Sequence, residues 1–311
     1  MPTRRSLLAK LGLLAGSAAV AVVVRDRLVW PRPEIGFGDG ADGSGWLALS
    51  PAAPLPIVPV QVNGVLAQAL LDTGAEASAL DRALGDQLGL GETALLPVVA
   101  FGVNGAPKVG RSASIAVSLG RASLRSLRVA VLDLGPIAQV SPGPVALILG
   151  LDALSAFVLD LDLRGEAGRR GPAPSGPRAP FAGAVTVPSE RRGRQLTTWV
   201  QVNGQPVQVV VDTGASAGLA LASDVAQRLG LLSGGGGRAL QSFTFGGVSR
   251  DRLIQVEAVT FAGETLADVS VQVFPRAPMS PTPDGLLGLG LLQGRRVRID
   301  PATPQILLGS A

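Results

Sequence analysis

Two carboxylates in matching surroundings are the groups in this chain best suited to chemistry. The tripeptide Asp-Thr-Gly occurs as Asp72-Thr73-Gly74 and again as Asp212-Thr213-Gly214, each at the end of an apolar run. Gln61-Val62-Asn63-Gly64 precedes the first copy and Gln201-Val202-Asn203-Gly204 precedes the second; Ala75 and Ala215 follow. Leu88-Gly89-Leu90 and Leu229-Gly230-Leu231 close the two segments. One triplet alone says little, but two in the same register mark an internal duplication. A duplicated fold that brings two carboxylates together makes a pair that cannot comfortably ionise twice. Such a pair can hold one proton, draw a second from a bound water and donate to a carbonyl oxygen.

Other chemistries are narrowed by what is missing. The chain contains no Cys and no His, which removes disulfides, thiolate metal sites, and Ser-His or Cys-His nucleophile pairs. Acid-base work near neutral pH then falls to carboxylates with shifted pKa values. The formal net charge is only +4, and its Arg groups, Arg191-Arg192-Arg194 and Arg295-Arg296-Arg298, lack interleaved aromatics. They read as solvated surface, and no nucleic-acid partner is expected. Asp152, Asp160, Asp162 and Asp300 read as strand ends or turn caps, so no metal and no cofactor are assigned. The Gly run 234–237 lacks the Lys-Ser/Thr ending of a phosphate loop.

The elements that must position the two carboxylates are β-strands. Segments 57–62 and 65–71 read as strands joined at Asn63-Gly64, and 198–202 and 207–211 repeat them around Asn203-Gly204. A short helix follows each triplet, over 81–88 and over 224–229 with Ser223 as its cap. Further strands are expected at 112–118, 123–132, 252–259 and 267–274. The repeat continues past the triplets: Leu147-Ile148-Leu149-Gly150-Leu151 matches Gly285-Leu286-Leu287-Gly288-Leu289. Leu159-Asp160-Leu161-Asp162 likewise matches Val297-Arg298-Ile299-Asp300. The 311 residues, 47% hydrophobic, supply enough core for two lobes, 46–164 and 184–309, with a Gly/Pro/Arg linker at 165–183.

With these residues in place, each lobe resembles a retropepsin-like domain of the aspartic-protease clan. The shared pattern is apolar-apolar-Asp-Thr-Gly-Ala, a Gly-containing flap segment, an apolar-apolar-Gly, and a strand ending in Asp. The resemblance covers nearly all of both lobes. It implies an all-β fold of two acid-protease β-barrel lobes in pseudo-twofold arrangement, preceded by an N-terminal hydrophobic helix. It also implies an aspartic endopeptidase acting on polypeptides as a monomer, with Asp72 and Asp212 catalytic at a cleft between the lobes. The shared proton is the established property of that family's Asp pair. Thr73 and Thr213 would lock the two loops together across the interface. Gly74, Gly214, Ala75, Ala215, Gly150 and Gly288 would support them. Ala in place of the Ser found in pepsin-type enzymes removes a hydroxyl donor, so the pair is expected to work at weakly acidic to neutral pH. Flap candidates are Phe101, Gly102, Asn104 and Gly105 in the first lobe and Phe245, Gly246 and Gly247 in the second. Pepsin-type flaps carry a Tyr, and this chain has none. The alternatives are a catalytically weak peptide-binding module or a structural envelope protein on the same fold.

The N-terminus adds an address. Arg4-Arg5 precedes an apolar stretch from Leu7 to Val24 interrupted by Lys10, a pattern similar to a twin-arginine signal. Segment 1–30 is therefore expected to be a signal peptide or a membrane anchor that places the protein outside the cytoplasm. Segment 31–45 reads as a flexible spacer.

Overall fold

The structure, a computed structural model, describes residues 31–38, 44–49, 54–90, 97–101, 107–135, 137, 144–164, 173–174, 180–233, 237–244, 247–276 and 283–310. The expected N-terminal helix and signal segment lie outside the described residues. Among the described residues no helix is long and apolar enough to cross a membrane.

The first lobe contains β1 (Glu34–Phe37), β2 (Ile57–Val62), β3 (Val65–Leu71), β4 (Ala79–Asp81), helix α1 (Arg82–Gln87) and β5 (Pro97–Phe101). It continues with β6 (Pro107–Leu119), β7 (Ala122–Leu132), β8 (Val145–Leu149), helix α2 (Leu151–Leu154) and β9 (Phe157–Asp162). Then come β10 (Ala173–Pro174), β11 (Val185–Val187), β12 (Ser189–Arg192), β13 (Gln195–Val202), β14 (Gln205–Val211), β15 (Leu219–Ala222) and helix α3 (Ser223–Arg228). The second lobe is completed by β16 (Arg238–Thr244), β17 (Gly247–Phe261), β18 (Glu264–Phe274), β19 (Gly285–Leu287), β20 (Arg296–Asp300) and β21 (Gln305–Leu308).

Both lobes close in the same way. In the first, the order β7-β4-β8-β3-β2-β6 returns to β7; in the second, β18-β15-β19-β14-β13-β17 returns to β18. Closure removes the edges that an open sheet leaves unpaired. The resulting fold is all-β, with two closed six-stranded barrels repeated along the chain. In each, a tight hairpin places the Asp strand. Asn63 and Gly64 have φ of 47° and 85°, and Asn203 and Gly204 have 48° and 77°. Two successive positive φ values match the twist of the flanking strands, and Asn and Gly tolerate them. The Asn63 side chain also accepts from the Ala116 N–H at 2.8 Å, and Asn203 from Ala258 at 3.0 Å, fixing each hairpin to the next strand.

A third sheet, β10-β9-β20-β21-β11, joins the lobes. Strand β9 of lobe one pairs antiparallel with β20 of lobe two, Leu159 opposite Ile299 and Leu161 opposite Val297. Asp160 is buried in this sheet. Arg296 holds both its carboxylate oxygens at 2.7 Å, and Arg298 adds a bond at 2.9 Å. Phe181 lies under both guanidiniums, at 4.7 and 5.3 Å from its ring centre. Burial opposes ionisation of Asp160, but the two arginines outweigh it and hold the carboxyl below the usual range.

Five expectations are corrected here. Arg296 and Arg298 are not solvated surface; they neutralise a buried carboxylate that no local turn could satisfy. Asp160 is accordingly a mid-strand ion-pair partner, not a strand end. The 31–45 spacer contains β1, which pairs with Ala122–Arg125 of β7, and the linker contains β10, which pairs with β9. A Gly/Pro-rich segment cannot bury a core by itself, but it can add a short strand to an edge already formed. Lastly, Ser223 is the first residue of α3, not its cap; Ala222 holds the cap position without a side-chain bond.

Candidate active site

Strand β3 delivers Asp72 and β14 delivers Asp212. The Asp72 N–H donates to the Leu149 carbonyl of β8 at 2.9 Å, and the Asp212 N–H to Leu287 of β19 at 2.9 Å. Each Asp therefore leaves its strand pinned to a parallel neighbour. The loop then turns back on the carboxylate. Gly74 N–H donates to Asp72 Oδ1 at 2.8 Å and Ala75 N–H at 3.1 Å, while Gly214 N–H donates to Asp212 Oδ1 at 2.8 Å. With Ala at position 75, the donor there is the backbone alone.

The two loops are tied to each other reciprocally. Thr73 Oγ1 donates to the Val211 carbonyl at 2.7 Å and accepts from the Thr213 N–H at 3.0 Å. Thr213 Oγ1 donates to Leu71 and accepts from the Thr73 N–H at 3.0 Å. All partners are buried, where an unmade bond would be expensive. The tie presses one loop against the opposite carboxylate. A Cβ on Gly74 would stand 2.5 Å from Asp212 Cγ, so only glycine fits.

Asp72 and Asp212 are 0% and 1% exposed. Burial pushes the Asp72 carboxyl well above its ordinary range, and the Asp212 charge and a hydrogen bond to Asp212 push in the same direction. The Gly74 and Ala75 N–H groups oppose the shift without cancelling it.

Gly150 and Gly288 lie against the backs of these loops. A Cβ on Gly150 would come within 2.7 Å of Ala77 backbone, and one on Gly288 within 2.1 Å of the Ala217 carbonyl. The next N–H in each copy, Leu151 or Leu289, donates to the carbonyl of Ala75 or Ala215 at 2.8 and 2.9 Å. One supporting contact was not anticipated from the sequence. Ser78 donates through both N–H and Oγ to Asp152, at 3.0 and 2.7 Å, and its Oγ accepts from Gly150 N–H. In the other lobe Gly218 and Gly290 occupy these positions and approach backbone to backbone. The paired change, Ser with Asp against Gly with Gly, was visible in the aligned repeat. Glu76, half-buried beside the first loop, was also overlooked; burial raises its carboxyl although Arg194 counters it.

The flap candidates are not brought to the Asp pair by anything described. The tips, 102–106 and 245–246, lie outside the described residues, which takes in Gly102, Asn104, Gly105, Phe245 and Gly246. Their arms are antiparallel hairpins: β5 with β6, ending at Phe101, and β16 with β17, starting at Gly247. In the second hairpin Asp251 is buried and accepts from Ser242 at 2.5 Å and from Ser249 and Gln272. Among the described residues no cluster of three or more acidic side chains is placed to hold a metal ion.

The profile of a family described as aspartyl protease matches residues 58–153 and, separately, 199–291. Among solved structures, the chain is similar to a retropepsin-like aspartic protease from Rickettsia conorii. The identity is 21% and the TM-score 0.31, over 40% of this chain and 89% of that one. No curated protein gives a significant match. With the two matches together taking in more than half of the chain, and each carrying one Asp-Thr-Gly, this protein belongs to the aspartyl protease family.

Proposed function

We propose that the protein is an aspartic endopeptidase in which Asp72 and Asp212 jointly activate a water molecule. The observation that carries this reading is the contact of the two loops. It sets the Asp212 carboxylate where a Gly74 side chain would be and raises the Asp72 carboxyl through burial and the second charge. The ionised member takes a proton from water as the water oxygen bonds to the scissile carbonyl carbon. The protonated member donates to the carbonyl oxygen as negative charge develops there. Collapse of the tetrahedral intermediate breaks the C–N bond, and the amine leaves with a proton from the pair. The substrate would be an extended polypeptide, bound between the lobes beneath the two hairpins. The raised carboxyl supports activity at weakly acidic to neutral pH. We propose, from Arg4-Arg5 and the apolar run behind them, that this takes place outside the cytoplasm.

Incubation of the protein with a peptide library across pH 3 to 8 (about the span over which coupled carboxylates titrate) is the direct test. Cleavage should vanish in Asp72→Asn and in Asp212→Asn. Full activity in either variant sinks the shared dyad, and tight peptide binding without products assigns a binding module instead.

A further inference from the structure

The two barrels are near copies, so a difference between equivalent positions bears on what each lobe does beyond folding. Arg111 faces Val131 in lobe one as Arg252 faces Val273 in lobe two. Counting from these pairs, Asp251 takes the place of Gly110, Ser249 that of Lys108 and Gln272 that of Ala130. Ser242, opposite Ser249, takes the place of Ala100, opposite Lys108. The root of the second hairpin is therefore polar where its twin is not. Ala100 and Ala130 are buried, and Lys108 sends its Nζ to the Asp133 carbonyl at 2.6 Å. At Gly110 there is no room for a side chain: a Cβ would stand 2.3 Å from Leu132 Cδ2 and from the Val131 carbonyl.

Asp251 is 3% exposed, and Ser242, Ser249 and Gln272 are buried with it. Its Oδ2 accepts from Ser242 Oγ at 2.5 Å and from Gln272 Nε2, and its Oδ1 accepts from Ser249 Oγ. All three donors are neutral. Among the described residues no arginine or lysine pairs with Asp251, in contrast to Asp160. Burying a carboxylate without a cation is expensive, and lobe one closes the same barrel without one. The four side chains fasten β16 and β17 to β18. Gln272 stands beside Ala220 in the parallel pairing of β15 with β18, and Ala220 faces Leu286 of β19. The neighbouring Leu287 carbonyl holds the Asp212 N–H.

We infer that Asp251 is a positioning residue for the reaction. It fixes the β16–β17 hairpin to the strands that hold Asp212, and so keeps the part of a polypeptide beneath that hairpin in register with the Asp212 carboxylate. The inference rests on the protease reading, in which substrate lies beneath both hairpins. The equivalent positions of the first hairpin carry no such fastening, so the two halves of the substrate are held unequally.

Two variants of the full chain separate positioning from folding. Asp251→Asn keeps the shape and one acceptor oxygen. The quadruple variant Ser242→Ala, Ser249→Ala, Asp251→Ala and Gln272→Ala removes donors and acceptor together, strands no buried polar group of the cluster and should melt close to the parent. Hydrogen exchange reads the hairpin without turnover: the quadruple variant should speed exchange at amides 239–244 and 248–253 roughly tenfold or more and leave 198–211 unchanged. For a peptide extended on both sides of the scissile bond, its kcat/KM should fall about tenfold or more, with a smaller loss in Asp251→Asn. Trimming the peptide on one side should erase the difference between parent and variant, and trimming the other side should preserve it. Unchanged exchange at the hairpin overturns the inference, as does an unchanged kcat/KM or an equal loss for both trimmed peptides. A quadruple variant that cannot fold would make the cluster a requirement of the barrel and also overturn it. A parent that cleaves no peptide defeats the protease reading by itself, and the exchange comparison still decides whether the cluster holds the hairpin.

Discussion

Each threonine of the paired triplets carries two buried hydrogen bonds to the other lobe, so a side chain of nearly the same shape without the hydroxyl isolates their contribution. Thr73→Val removes the donor to Val211 and the acceptor for Thr213 N–H. Stranding two buried partners should cost about 2–4 kcal/mol of stability in urea unfolding, whereas Thr73→Ser should cost under about 1.5 kcal/mol. The carboxylates predict the opposite sign. Asp72 holds its proton to higher pH in the folded state than in the unfolded one, where it is lost near about 3.9. Its contribution to stability is therefore complete below that pH and falls as pH rises toward the folded value. Asp72→Asn cannot ionise and escapes the loss. It should melt several degrees higher than the parent at pH 7, roughly 2–4 °C for each kcal/mol recovered. The gain should disappear near pH 3. A catalytic group held at a cost to the fold behaves this way; a structural turn Asp does not.

Among the elements, the junction of the Asp loop with the following Gly is the tightest. The apolar strand, the turn and the crossing strand meet where no Cβ can enter, and in lobe two the obstacle is a carbonyl at 2.1 Å. Gly288→Ala should therefore be the more damaging of the two glycine substitutions, with Gly150→Ala close behind. Each should lose about 1–3 kcal/mol by overpacking, read as an earlier denaturant midpoint. Catalytic loss should exceed what unfolding explains, because Ala215 and Ala75 would be pushed toward the carboxylates. Element existence was largely legible in the sequence. The Asn-Gly turns forced the β2–β3 and β13–β14 hairpins, and alternation in Ile57–Val62 marked a half-buried strand. Strands β1 and β10 were not legible: each is too short to carry a pattern and exists because an edge was waiting. The absence of a side-chain cap on α3 was likewise invisible, since a Ser beside an Ala cannot show which one begins the helix.

Across the whole molecule, the ion cluster of Asp160, Arg296 and Arg298 welds the lobes where β9 meets β20. Its carboxyl is held below the usual range, so its stabilisation is present at neutral pH and lost as pH falls through the folded value. Asp160→Ala leaves Arg298, 8% exposed, without its carboxylate partner. About 3–5 kcal/mol should be lost at pH 7, and the difference from the parent should shrink in acid. A pH 7 denaturation midpoint unchanged by the substitution would show that the lobes are held without this cluster.

The sequence by itself determined the duplication, the two Asp-Thr-Gly loops and the exclusion of histidine and thiol chemistry. These are properties of residue type and local spacing, which survive in a one-dimensional string. Only the tertiary structure decided that Thr73 and Thr213 exchange bonds across the interface, that Asp160 meets two arginines more than a hundred residues away, and that β1 adds to the edge of the first barrel at Ala122–Arg125. Those outcomes depend on which surfaces meet in space, and neither composition nor periodicity records the partner of a contact made at long range.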